Sequence, residues 1–236
     1  MEPQWQWHVF GYIVNADTML FTWAAMLVVF VMFRLAGRNA SVEKPRGLQN
    51  FVELALDFVG NYVREDLNDE QGGRIFRLLV AELMFLLVVN VFSLMPFPFF
   101  HAAAADVNTP IGLALIVFVL IHYYGVHYRK VGGHLKSMAS PWGLTPLFIM
   151  EQFTNPGTLA LRLFGNIFAG DILMNLASSI IPAQVTLWFG FAFVVSIFLQ
   201  LGVLGFNTFI AVMQSFIFMV LTLAYISQSM RPAGEH

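Results

Sequence analysis

The residues with chemistry to offer are polar side chains stranded inside long apolar runs. Glu82 and Asn90 lie in one run and His122 in the next. Glu151, Arg162, Asn166, Asp171 and Asn175 lie in a third, and Gln200, Asn207 and Gln214 in the last. An ionisable group at bilayer depth costs at least a few kcal/mol, and such groups line ion or substrate paths. At 100° per residue, Asn166 lies about 40° from Arg162 on a helix and Glu151 about 20° away on the other side, about 16 Å along the axis. These three form one stripe. Asp171 and Asn175 fall about 180° and 220° from Arg162, so the same helix carries a cationic face and an acidic one. Gln200, Asn207 and Gln214 recur at heptad spacing, a stripe that drifts only about 20° per repeat. If these last two helices are antiparallel, Arg162 pairs in depth with Gln214, Asp171 with Asn207 and Asn175 with Gln200. Such rungs would line a hydrated path, provided the last helix begins with extra, partly unpaired turns.

Each residue also has a plainer role open to it. Asn90, Asn175 and Gln200 suit ordinary interhelical hydrogen bonds. Glu82 and Glu151 lie near cytoplasmic helix ends, where solvation and channel lining are both open. His122 suits packing or polar lining. His127 follows it by five residues, the wrong spacing for two ligands on one helix face, and no His-x-x-x-His pair occurs. No metal site, cofactor site, nucleophile–base constellation or glycine-rich phosphate loop is expected. Arg162 is the hardest to explain by packing, because it has no basic neighbour and long apolar flanks on both sides.

The elements that must position these groups are membrane helices. The chain of 236 residues is 58% apolar and only 11% charged, and has no cysteine. Soluble domains are about 25% charged, and a chain this apolar could not clothe itself in polar surface. The absence of cysteine excludes disulfide scaffolds, zinc–thiolate sites and thiol catalysis. Spans are expected at about 17–36, 75–95, 109–128, 147–180 and 185–228, each meeting the roughly 20-residue requirement. Arg34, Arg38, Lys44, Arg46, Arg64, Arg74 and Arg77 lie between the first two or at their facing ends, Arg129, Lys130 and Lys136 between the third and fourth, and Arg231 after the fifth. Arg162 alone of the 12 basic residues remains deep inside a span. The positive-inside rule then puts the N-terminus outside and the C-terminus in the cytoplasm. Positive charge follows the first apolar core rather than preceding it, so that span is expected to stay as an anchor. Trp5, Trp7 and Trp142 suit interfacial belts.

The last two runs would extend about 51 and 66 Å as helices, against a hydrocarbon core of about 30 Å. Either both tilt steeply or a hairpin hides near Gly202 and Gly205. A sixth span would carry Arg231 outside, so tilt is the expectation. Over 45–67, Leu48, Phe51, Val52, Ala55, Phe58, Val59 and Tyr62 repeat at helical spacing opposite Asn50, Glu53, Asp57, Asn61 and Arg64. Pro45 suits its first turn. This segment predicts an amphipathic helix along the cytoplasmic surface or against another subunit. The fold class is therefore all-α integral membrane: one domain over 1–236, with five transmembrane helices plus one amphipathic interfacial helix.

LRLFGNIFAGDIL (161–173) resembles the signature of subunit a of the rotary ATP synthase membrane sector, bacterial type. PRGLQNFVELALDFV (45–59), LVVNVFSLMP (87–96), HYYGV (122–126) and MQSFIFMVLTLAYIS (213–227) resemble further family segments in the right order. The resemblance implies a non-catalytic stator subunit of the bacterial inner membrane. It would work with a c-subunit ring, peripheral stalk b subunits and, indirectly, the catalytic sector, with no nucleic acid partner. It implies two offset half-channels through which ions, most simply protons, reach and leave the ring. On it Arg162 matches the essential arginine, Asn166 and Asp171 match polar positions of the exterior half-channel, and Asn207 and Gln214 match last-helix positions. Glu151 resembles a carboxylate at the cytoplasmic entrance. His122, Asn175, Gln200 and Glu82 are further lining candidates.

One departure stands out. The family often shares an acid–histidine combination between the positions of Asp171 and Asn207, and here the second is an amide. Asp171 is then left as the titratable relay of the outer channel, with water or a residue such as His122 completing the path. Guanidinium keeps its proton under all relevant conditions. At about 4 Å it would favour an ionised ring carboxylate by roughly 4 kcal/mol at an effective dielectric of 20.

Two other classes are weaker fits. A secondary carrier would use Arg162 to bind an anionic substrate, but such carriers show repeats and broken midplane helices, and neither is found here. A membrane enzyme would need a catalytic constellation.

Overall fold

The computed structural model describes residues 6–9, 12–38, 47–67, 69–94, 108–139 and 189–230, residue 40, and separate positions between 150 and 172. Five helices are delimited there. They are α1 (Ala16–Arg38), α2 (Leu48–Asp66), α3 (Asp69–Leu94), α4 (Asn108–Ala139) and α5 (Phe189–Met230). A short antiparallel hairpin, β1 (Gln6–Val9) with β2 (Tyr12–Asn15), precedes α1 and was not foreseen. Within α1, α3, α4 and α5 lie four stretches long and apolar enough to cross a membrane: Thr18–Arg38, Gly72–Leu94, Thr109–Lys130 and Ile197–Met230. They coincide with the first, second, third and fifth expected spans. Most of 147–180 lies outside the described residues, although Met150, Thr154, Leu161, Phe168 and Ile172 are helical.

The relative directions follow from the contacts. Phe21, early in α1, meets Phe92, late in α3, edge to face at 5.4 Å, so these helices are antiparallel. Asn90 of α3 reaches Ser215 of α5, while the earlier Glu82 accepts from the later Thr222, so α3 and α5 are also antiparallel. Arg129, near the end of α4, donates to the carbonyl of Gln228, near the end of α5, at 2.8 Å. The helices α1, α4 and α5 therefore run one way and α3 the other.

The core is the meeting of α3 with its neighbours. Leu79, Met84, Leu86 and Val89 of α3 pack with Ala25 and Val29 of α1, Val59 and Val63 of α2, Ile121 of α4 and Phe218, Leu223 and Ile226 of α5. On α5, from Ile197 onward, burial begins at Ala211 and recurs at Ser215, Phe218, Thr222, Ile226 and Ser229, the three-and-four spacing of one helix face. Before Ala211 the same helix leaves Phe198, Leu201, Leu204, Phe206 and Phe209 exposed. α5 runs unbroken through Gly202 and Gly205, so the hairpin alternative is not realised. At 1.5 Å per residue it is about 63 Å long.

Two chain reversals shape the other elements. α2 starts at Leu48 after Gly47, whose φ of 57° suits a residue without Cβ; Pro45 lies outside the described residues. α2 doubles back on α3, with Val63 lying over Gly72 and Phe76 over Gly60. Its apolar surface divides. Val52, Val59 and Val63 are buried, whereas Phe51, Leu54 and Phe58 are exposed beside the polar face. Lys130, at φ 61° and ψ 160°, interrupts α4 and ends its spanning part beside the end of α5.

Candidate functional site

The fully buried polar residues among those described all lie on α3 and α5. Asn90, 4% exposed, donates through Nδ2 both to the Ala211 carbonyl (3.1 Å) and to Ser215 Oγ (3.0 Å). Ser215 Oγ itself donates to the Ala211 carbonyl at 2.9 Å. This closes a small network that gives the amide's two N–H donors acceptors on the neighbouring helix, as buried donors require. Asn90 is thus the interhelical hydrogen-bonder that its type and depth suggested.

Two turns along α3 toward its N-terminal end, Glu82 Oε1 accepts from Thr222 Oγ1 at 3.0 Å, while Oε2 is buried without a hydrogen-bond partner. Solvation near a helix end was one reading of Glu82. The structure corrects it: the carboxyl points into the bundle, and its one bond is to a fully buried threonine. Gln214, 3% exposed, precedes Ser215 on α5 and is buried in the bundle. Gln200 and Asn207, on the same heptad stripe, are only half buried, because α5 has not yet met the core at that depth.

His122 turns back on its own helix. Its Nδ1 lies 2.9 Å from the Phe118 carbonyl, and its ring packs on Phe118 at 4.3 Å. It is half buried on α4. Glu151, Arg162, Asn166, Asp171 and Asn175 all lie outside the described residues, and so do the three depth pairs they were expected to make with α5. Around them the described positions Met150, Leu161, Phe168 and Ile172 form an exposed apolar strip at helical spacing, Leu161 being 71% exposed. Such a strip belongs against lipid or another apolar surface. Among the described residues no cluster of His, Cys, Asp or Glu could hold a metal ion.

Ser215 and Thr222 were missed at the level of sequence. A signal for them existed: Thr208, Ser215, Thr222 and Ser229 form a second heptad stripe, displaced by one residue from Gln200, Asn207 and Gln214.

Comparison with known proteins identifies the relatives. The family model described as ATP synthase A chain matches residues 19–227. A protein of Desulforamulus reducens named ATP synthase subunit a is 32% identical over 231 residues, covering 98% of this chain and 85% of that protein. Proteins of the same name from Macrococcus caseolyticus and Staphylococcus carnosus are 34% and 33% identical. The first match covers 95% of both chains, and the second covers 99% of this chain and 98% of its relative.

Proposed function

Because the chain belongs to the ATP synthase A chain family, we propose that it moves protons across a bacterial plasma membrane at the face of a rotating c-subunit ring, coupling the ion gradient to ATP synthesis or hydrolysis. Members of this family are membrane subunits of the proton-translocating sector and carry no catalytic site of their own. The observation that carries the reading to this chain is the full-length relationship combined with LRLFGNIFAGDIL at 161–173, which supplies an arginine, an amide and a carboxylate to one apolar segment.

In this reading two half-channels, one open to each side, meet the ring at different depths. Asp171 and Asn166, with Asn207 across from them, serve the outer one, and Glu151 the cytoplasmic one. Asn175, Gln200, Glu82 and His122 are lining candidates. Arg162 stands between the two with Gln214 beside it. Its fixed charge favours proton release from each passing ring carboxyl, and it blocks direct leakage because guanidinium does not give up its proton. A carboxyl past the arginine must take a proton again before meeting lipid, where a bare charge is penalised. The membrane potential adds about 2.3 kcal/mol per charge per 100 mV.

The structure supports the reading in two ways. Gln214 is buried on α5, one residue from the Ser215 that Asn90 of α3 contacts. The exposed apolar flank of α5, from Phe198 through Gly205 to Phe209, and that of Leu161 and Phe168 are suited to an apolar partner such as the ring. The charge bias puts the N-terminus outside and the C-terminus in the cytoplasm, where the catalytic sector and the stalk b subunits would attach.

Complementation tests this. Inverted vesicles from a bacterium deleted for its own subunit should lack ATP-driven acidification and regain it when this chain, with its cognate ring, is supplied. Assembly of a complete complex that hydrolyses ATP without moving protons would contradict the proposal.

A further inference from the structure

We propose that Glu82 is a proton-relay carboxyl on the cytoplasmic access path, reached through the α3–α5 seam. This rests on the stator reading above and adds to it a group on α3, a helix outside the fourth-span and fifth-span stripes.

Among the described residues the buried polar side chains lie on α3 and α5. Starting from the C-terminal end of α5, the buried polar residues are Ser229, Ser227, Thr222, Ser215 and Gln214. Ser229, Thr222 and Ser215 share one heptad stripe, so they lie one above another on the face that meets α3. The string ends at Gln214, the residue the family relationship sets beside Arg162. Glu82 enters midway. Its Oε1 is occupied by the Thr222 hydroxyl, and its Oε2 is buried with no hydrogen-bond partner. A carboxylate that merely joined two helices could be replaced by an amide such as Asn90, whose Nδ2 spends both of its protons on α5. Oε2 is the atom left to take a proton. In inward transport it accepts one from water on the Gln214 side and returns one to bulk water at the Ser229 end, finishing each cycle as it began.

The charged groups near this site do not compensate it. α5 has no charged residue between Phe189 and Met230, and of its groups Thr222 reaches Glu82; Tyr225 does not bond to it. Arg34 and Arg38 on α1, Glu53, Asp57 and Arg64 on α2, and Arg74 and Arg77 on α3 itself make no hydrogen bond to the carboxyl.

The test uses the assembled complex in inverted vesicles, comparing the parent with Glu82→Gln, Glu82→Asp, Thr222→Val and Arg162→Ala. Glutamine keeps an oxygen for Thr222 but cannot relay a proton. Glu82→Gln is expected to lower ATP-driven pumping at least tenfold with assembly intact, and Glu82→Asp to restore part of it with a displaced pH profile. Thr222→Val leaves the carboxyl in place and is expected to move the pH of half-maximal pumping without abolishing it. Parent-like pumping by Glu82→Gln across the pH range overturns the relay. If Glu82→Gln fails to assemble, an unchanged pH profile in Thr222→Val overturns it instead. Arg162→Ala separates the two levels: a dead Arg162→Ala beside a normal Glu82→Gln refutes this inference alone, whereas a normal Arg162→Ala refutes the stator reading.

Discussion

At the scale of the residue, what matters is where each buried polar atom finds its partner. Asn90 was readable because an amide at bilayer depth has to be satisfied by another helix, and it is, by Ser215 and the Ala211 carbonyl. The hydroxyl partners carried only the weaker signal of their heptad spacing, because serine and threonine can satisfy themselves on their own helix and so tolerate lipid. Thr208, exposed, does so by donating to the Leu204 carbonyl at 2.8 Å. Only the partner helix distinguishes Thr208 from Thr222. A double-mutant cycle with Asn90→Leu and Ser215→Ala, followed by thermal unfolding in detergent, should give a coupling of about 0.6 to 1.7 kcal/mol, the range of interhelical polar pairs in membranes. A coupling of zero would mean that the network does not hold α3 to α5.

At the scale of the element, glycines show which helix faces are committed. A Cβ on Gly72 would lie 3.0 Å from Val63 Cγ1, whereas one on Gly73 would meet nothing within 4 Å. Gly72→Leu should therefore destabilise the α2–α3 reversal by about 1–3 kcal/mol through overpacking. Gly73→Ala should be neutral or stabilising by about 0.5–1 kcal/mol, the usual gain in a helix interior. Comparable effects at both positions would contradict the packing described. The helical periodicity of α2 was legible, since Val52, Val59 and Val63 keep one side. The division of its apolar surface was not, because hydropathy cannot say which half of a wide apolar arc a neighbouring helix will take. The continuity of α5 through Gly202 and Gly205 followed from the charge argument about Arg231 rather than from propensity, which penalises each glycine by about 1 kcal/mol.

At the scale of the whole molecule, the spans were legible because a bilayer imposes a length and a composition that few other solvents demand. Their alternating directions then emerged from contacts that hydropathy does not contain. The N-terminal hairpin escaped notice because Gln6–Val9 and Tyr12–Asn15 are too short and too mixed to stand out beside long apolar runs. The candidate site was legible only in part: the sequence names Arg162 and its stripe through charge in an apolar run, but the seam partners of Glu82 and Asn90 required three dimensions. Orientation can be checked directly, because the chain has no cysteine. Glu2→Cys should react with a membrane-impermeant maleimide from outside intact cells, and Glu235→Cys only after inversion of the membrane. The opposite pattern would reverse the half-channel assignments.

The most direct measurement is ATP-driven acidification of inverted vesicles carrying the assembled complex, parent against Arg162→Ala. Loss of pumping in the variant, with the complex assembled and still hydrolysing ATP, is the predicted result and puts Arg162 in the transport path. Pumping near the parent level would make Arg162 a packing cation and contradict the central claim.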